Sequence, residues 1–237
     1  MKWRSLEESV IETETRSLRE VYAERKALIE KYVPADVRAV HERAVRELRE
    51  AGVGESRLTE GSVPAAFELL DQNGKSVSSA DLMKAGPLVV FFIRGRWCPF
   101  CVGQVEAMNA IVPQLRSMGA SLIAISPQTV HHNYLMADQH RLQFLLLSDS
   151  GNKIAKQFGV AYRVPEYQQV VYQQVFVKLP FVNGDESWEL PVPATFILTA
   201  NEDQQGQAEI KFAYANPDYT DRPEPSEITA LAMRRRS

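Results

Sequence analysis

The apolar run Leu88-Val89-Val90-Phe91-Phe92-Ile93 leads through Arg94-Gly95-Arg96 into Trp97-Cys98-Pro99-Phe100-Cys101, and then into Val102-Gly103-Gln104-Val105-Glu106-Ala107-Met108. The run is short, β-branched and aromatic, without polar alternation, so it reads as a strand buried on both faces. The residues after Cys101 read as the start of a helix. Cys98 and Cys101 are the only cysteines of the chain. Between a strand and a helix, two thiols at this spacing read as redox chemistry, since they can close and reopen a small disulfide ring. A helix N-terminus offers free N–H groups and partial positive charge, both of which favour thiolate over thiol. Arg94 and Arg96 push the same way.

The rest of the composition narrows the setting. At 237 residues the chain has room for one good-sized domain plus an extension. Its formal net charge of −3 argues against a nucleic-acid surface, and Arg234-Arg235-Arg236 reads as a solvated helix end. No apolar core follows Met1, and no run is long enough for a membrane span, so a cytoplasmic location is the expectation. In that reducing compartment a lone cysteine pair is catalytic or metal-binding rather than structural. Zinc would need two further ligands, and His131, His132 and His140 are not at finger-like spacing, so no metal is expected. An inert buried pair is the remaining plain alternative.

Residues 1–50 are rich in Glu, Arg, Lys, Leu and Ala. Ile11, Leu18, Tyr22, Ile29 and Val33 recur at helical intervals. The pattern predicts one helix to about Tyr32, a break at Pro34 and a second helix to about Ala51, stopped by Gly52-Val53-Gly54. This defines an N-terminal helical arm, residues 1–57, ahead of a domain at 58–237. Packing on its own domain and a homodimer contact are equal alternatives for the arm. Two short strands then flank the Asn73-Gly74 turn, a short helix covers Ser79 to Lys84, and the buried strand and cysteine helix follow. Pro113 predicts a kink in that helix. A strand at Ser121–Ile125, a helix at Val130–His140, a strand at Phe144–Leu147 and a helix at Asn152–Phe158 come next. Thr195–Leu198 pairs with Ile210–Tyr214 across a polar turn, Asn201 to Gly206, and a proline-rich stretch leads to a last helix from about Ser226. Residues 165–189 fit an inserted helix, a strand pair or a loop over the site. The alternation predicts an α/β sandwich, a central mixed sheet with helices on both faces.

From about Gly61 onward the chain resembles the AhpC/TSA (redoxin, peroxiredoxin-like) family on a thioredoxin fold. The resemblance rests on Phe67-Glu68-Leu69 with Asn73-Gly74-Lys75, the strand and motif from Val90 to Cys101, Ile123-Ala124-Ile125-Ser126-Pro127, Leu146-Leu147-Ser148-Asp149 and Val192-Pro193-Ala194-Thr195-Phe196-Ile197. It implies a peroxide-attacking cysteine at a helix start, a threonine three positions earlier, a proline four before that, and an arginine from a later strand. With Cys101 in the attacking place, Cys98 stands where the threonine would be, Arg94 where the proline would be, and Pro193 near the expected arginine. A second cysteine and a proline before the Thr195-Phe196 strand are instead features of thioredoxin-like disulfide reductases. There the proline is cis and leaves the preceding carbonyl, here that of Val192, free to grip an incoming chain; a cis X–Pro bond costs only about 0.5–1 kcal/mol.

The resemblance thus implies reduction of hydrogen peroxide or organic hydroperoxides through a Cys98/Cys101 dithiol–disulfide cycle. It calls for no prosthetic cofactor, and an external thiol donor such as thioredoxin or glutathione supplies the electrons. Exchange with protein or small-molecule disulfides is the alternative, and a non-enzymatic redox-sensing assembly protein a third. Exposure favours Cys98 as the attacking sulfur, while the peroxiredoxin register favours Cys101. Trp97 is placed to shield the thiolate or to pack in the core. His131-His132 reads as a solvated helix start, and Tyr162, Tyr167 and Tyr172 as packing rather than a pocket lining.

Overall fold

A computed structural model describes residues 16–201 and 207–234. The predicted arm appears as two helices, α1 (Leu18–Tyr32) and α2 (Ala35–Glu50). A capping box sets the first turn of helix α1. The Ser17 hydroxyl accepts the Glu20 N–H at 3.2 Å, and the Glu20 carboxylate accepts the Ser17 N–H at 2.7 Å. The Glu224 carboxylate takes the next two free donors, the N–H groups of Leu18 at 2.9 Å and Arg19 at 2.8 Å. Ile11 and the start of the predicted helix lie outside the described residues.

The domain follows as β1 (Glu68–Leu70), β2 (Ser76–Ser78), α3 (Ser79–Met83), β3 (Leu88–Phe92), α4 (Pro99–Ala110), α5 (Val112–Ser117), β4 (Ser121–Ser126), α6 (Val130–Gln139), β5 (Leu145–Ser148), a 3₁₀ turn at Ser150–Asn152 and α7 (Lys153–Gln157). Then come β6 (Ala161–Arg163), α8 (Glu166–Gln174), α9 (Leu179–Asn183), β7 (Glu189–Pro191), β8 (Ala194–Asn201), β9 (Gln207–Ala215) and α10 (Pro225–Arg234). Seven strands form one mixed sheet in the order β2-β1-β5-β4-β3-β8-β9. Strand β3 runs parallel to β4 and antiparallel to β8, with Phe91 opposite Thr195 and Phe92 opposite Ala194. The fold is α/β and thioredoxin-like.

The central strand has no exposed face because each face carries its own core. Val89, Phe91 and Ile93 pack with α4, α5, α10 and the first turns of α1. Leu88, Val90 and Phe92 pack on the opposite face around Phe158 and Phe196. The arm therefore lies against its own domain, on the cysteine side of the sheet.

Three local readings change. The kink expected at Pro113 is a break at Ile111 that divides the helix into α4 and α5, with Pro113 in the first turn of α5 where its missing N–H is harmless. The stretch 165–189 is two helices, α8 and α9, enclosed by the two-stranded β6–β7 sheet. No peptide bond among the described residues is cis, so Val192–Pro193 is trans, unlike the thioredoxin arrangement the resemblance brought in. The turn between Asn201 and Gly206 falls largely outside the described residues.

Candidate active site

Strand β3 delivers the chain to the site and Gly95 turns it. Its φ of +142° is open to glycine, and a Cβ there would lie 2.7 Å from Trp97 Nε1 and 2.9 Å from Gln128 Oε1. Gln128 Oε1 also accepts the Arg96 N–H at 2.9 Å, which fixes the loop before the cysteines. Cys98 is the N-cap of α4, Pro99 opens the first turn, and Cys101 stands within it.

Both sulfurs are enclosed: Cys98 is 2% exposed and Cys101 0%. The exposure that favoured Cys98 as the attacker is absent. The surroundings of the two thiols differ instead. Cys101 Sγ accepts the backbone N–H of Arg94 at 3.4 Å and a guanidinium N–H of Arg222 at 3.5 Å. Cys98 Sγ accepts from the Arg94 guanidinium at a longer 3.9 Å. Burial alone pushes the Cys101 thiol up, but the Cys98 S–H donated to it and the guanidiniums of Arg222 and Arg94 outweigh burial. Cys101 is held well below the ordinary thiol range. Burial, and then the donation to a charged neighbour, hold Cys98 well above it. The two shifts run in opposite directions, so ionisation of the pair is favoured at Cys101.

Each arginine is itself held. Arg94 donates to the Tyr172 hydroxyl of α8, and its guanidinium lies 4.8 Å from the Trp97 ring centroid and 4.4 Å from that of Tyr219. Arg222 donates to Gln104 Oε1 of α4 and, from Nε at 3.1 Å and Nη2 at 3.0 Å, to the Tyr219 carbonyl. His41 of α2 backs this aromatic layer, 5.8 Å from the Tyr172 ring and 6.4 Å from Tyr219. Burial, then the Arg94 charge, lower its pKa to about 4, so it is neutral at physiological pH.

Of the residues singled out in sequence, Arg94, Trp97, Cys98 and Cys101 come together. Arg96 points its side chain away as an exposed residue. Thr195 is buried beside Phe91, on the cysteine face of the sheet. Val192 packs into the opposite core and its N–H binds Val160 O at 2.7 Å. The Pro193 carbonyl accepts the Asn216 N–H at 3.1 Å. The guanidinium beside Cys101 comes from the loop before α10, as Arg222. Sequence reading missed Arg222, Tyr22 and Tyr219, and gave Tyr172 no site role. The only local signal for Arg222 is a lone cation in a proline-rich stretch.

With the geometry established, comparison with known proteins is informative. The pattern of the AhpC/TSA family matches residues 61–203. The chain is 35% identical over 127 residues to a chloroplastic peroxiredoxin Q of Triticum aestivum, covering 54% of this chain and 58% of that one. It is 37% identical over 105 residues to the peroxiredoxin Q of Gentiana triflora, covering 44% and 48%. It thus spans about half the length of these relatives. Among solved structures, the peroxidoxin BcpB of Mycobacterium tuberculosis superposes with a TM-score of 0.58 at 21% identity, covering 75% of this chain and 97% of that one. A peroxiredoxin Q of Xanthomonas campestris superposes with a TM-score of 0.55 at 14% identity, covering 79% and 95%. The segment matched by the family pattern carries β3, both cysteines and Thr195, and the chain belongs to the AhpC/TSA family.

Proposed function

We propose that the protein is a thiol peroxidase in which Cys101 attacks and Cys98 resolves. The observation that carries this reading is the asymmetry of the pair: two N–H donors, one from a buried guanidinium, converge on Cys101 Sγ. Cys101 thiolate attacks the distal oxygen of ROOH, forming S–O and breaking O–O. The leaving RO⁻ takes the Cys98 proton and departs as ROH. Cys98 thiolate then attacks the Cys101 sulfenic sulfur, an S–S bond forms, and hydroxide leaves to become water. An external thiol donor returns the two electrons, which suits a reducing compartment such as the cytoplasm. No prosthetic group is required. As O–O lengthens, Arg94 and Arg222, the cations beside the two sulfurs, stabilise the charge that grows on the leaving oxygen, where buried donors are worth most.

The C-x-x-C spacing keeps disulfide exchange as a second reading. Peroxide consumption and insulin reduction by wild type, Cys98→Ser and Cys101→Ser separate the two. The expected results are peroxide turnover by wild type, a dimedone-trapped sulfenic acid in Cys98→Ser, and none in Cys101→Ser. Brisk insulin reduction without peroxide turnover would overturn the peroxidase reading. A sulfenic acid formed only in Cys101→Ser would reverse the two roles.

A further inference from the structure

The arm does more than pack on the domain: it holds the very residues between the two cysteines. The Tyr22 hydroxyl donates to the Phe100 carbonyl and Arg25 Nη1 to the Pro99 carbonyl. The Tyr22 ring meets the Phe100 ring edge-on at 5.1 Å, and Leu18, Val21 and Tyr22 share one buried cluster with Cys98, Phe100 and Cys101. Arg25 Nη2 also approaches Glu106 at 3.7 Å. The close approach is built into α4 at Gly103, where a Cβ would run into Arg25 Nη1 and come within 3.1 Å of Tyr22 Cε1. Helix α1 is thus clamped to the C-x-x-C turn through its own carbonyls.

We propose that α1 is the specificity element that separates the two half-reactions by the size of the reagent. This rests on the peroxidase reading above. A peroxide the size of a few atoms reaches Cys101 through small side-chain motions. A protein dithiol has to place its own thiolate in line with the S–S bond and seat several hundred Å² of its surface around it. With α1 docked, the Pro99 and Phe100 carbonyls and the Phe100 ring are engaged and both sulfurs are enclosed. The reducing step runs as follows: a thiolate of the protein dithiol attacks the Cys98–Cys101 disulfide, a mixed disulfide forms and one cysteine leaves as thiolate. The second thiol of the donor then releases the other cysteine and closes the donor's disulfide. Both exchanges need α1 lifted from α4.

The test starts from full-length protein oxidised with diamide, which makes it independent of peroxide chemistry. Reduction is followed by stopped flow with thioredoxin or with dithiothreitol. In wild type, the rate with thioredoxin should level off as its concentration rises, at the rate of α1 opening measured by amide hydrogen exchange. The rate with dithiothreitol should keep rising. In Gly103→Leu, which wedges α1 away, and Arg25→Met, which removes one clamp, the thioredoxin-to-dithiothreitol rate ratio should increase at least tenfold. A linear thioredoxin dependence that exceeds the α1 opening rate overturns the proposal even if neither variant folds. So does an unchanged ratio in folded variants whose α1 exchanges faster. Failure of hydrogen peroxide to consume the two thiols would instead sink the peroxidase reading.

Discussion

Removing the guanidinium beside Cys101 is the most direct probe of the site. Arg222→Met keeps much of the side-chain volume and deletes a cation whose Nη2 lies 3.5 Å from the sulfur. Two unit charges at that range attract by about 5 kcal/mol at an effective dielectric constant of about 20. The guanidinium charge is spread beyond the contacting nitrogen, which lowers the useful share. An opposite charge at this range moves a pKa by about 1–3 units, or roughly 1.4–4 kcal/mol. In the variant, burial continues to push the Cys101 thiol up with only Arg94 and the Cys98 S–H against it. Its pKa should therefore rise by about 1–3 units, and at pH values below the wild-type midpoint both alkylation by iodoacetamide and reaction with hydrogen peroxide should slow by about 10- to 1,000-fold. Raising the pH should recover most of the alkylation rate, because the lost quantity is thiolate. Less of the peroxide rate should return under the proposed mechanism, in which Arg222 also stabilises the leaving oxygen. Arg222→Lys should rescue only in part: a point charge cannot bind Gln104, the Tyr219 carbonyl and the sulfur at once. An alkylation profile that keeps its wild-type midpoint would refute the assignment of Arg222 to the thiolate.

Other regions of the fold give independent outcomes. The two thiols move stability with pH in opposite senses. The depressed pKa of Cys101 adds stability that is present above the ordinary thiol value of about 8.5 and is lost as pH falls through its folded value. The raised pKa of Cys98 adds stability that is present below about 8.5 and is lost as pH rises toward its folded value. Relative to the disulfide form, the dithiol form should be most stable near pH 8.5, about where unfolded thiols titrate; urea midpoints that differ by a constant across pH 6–10 would contradict this. His41 falls from 6.5 to about 4 on folding. The unfolded chain therefore takes up a proton that the folded one refuses, and stability drops by about 3 kcal/mol between these values. His41→Gln should flatten that part of the acid-denaturation curve. Phe158 is fully buried against Phe92 at 5.4 Å and Phe196 at 4.9 Å, so Phe158→Ala should cost about 3–5 kcal/mol in chemical denaturation while leaving the alkylation midpoint of Cys101 in place.

What could be read from sequence divides along a physical line. Local pattern was enough for β3, α4 and the break at Pro34, because periodicity, a proline and a buried β-branched run act within a few residues. It was enough to bring Cys98 and Cys101 to a helix start. Pattern failed for Arg222, which reaches Cys101 over 121 positions of chain, and for Tyr172, which reaches Arg94 over 78. Neither spacing carries any periodic trace. It also failed for 165–189, where polar glutamines and exposed valines blur the helical stripe; Gln168 is buried, with its Nε2 3.1 Å from Nδ1 of His41 in α2. The two failures have one origin. The cysteine pair is supported by segments remote from it in sequence. Arg222 comes from the loop before α10, Tyr172 from the inserted α8, and Tyr22 from the arm. Arg222 holds Gln104 of α4 and the Cys101 sulfur, while Tyr22 and Arg25 hold the Phe100 and Pro99 carbonyls in the first turn of the same helix. Because both sets of contacts bear on α4, a substitution in α1 should be felt at the sulfur as a shifted alkylation midpoint of Cys101.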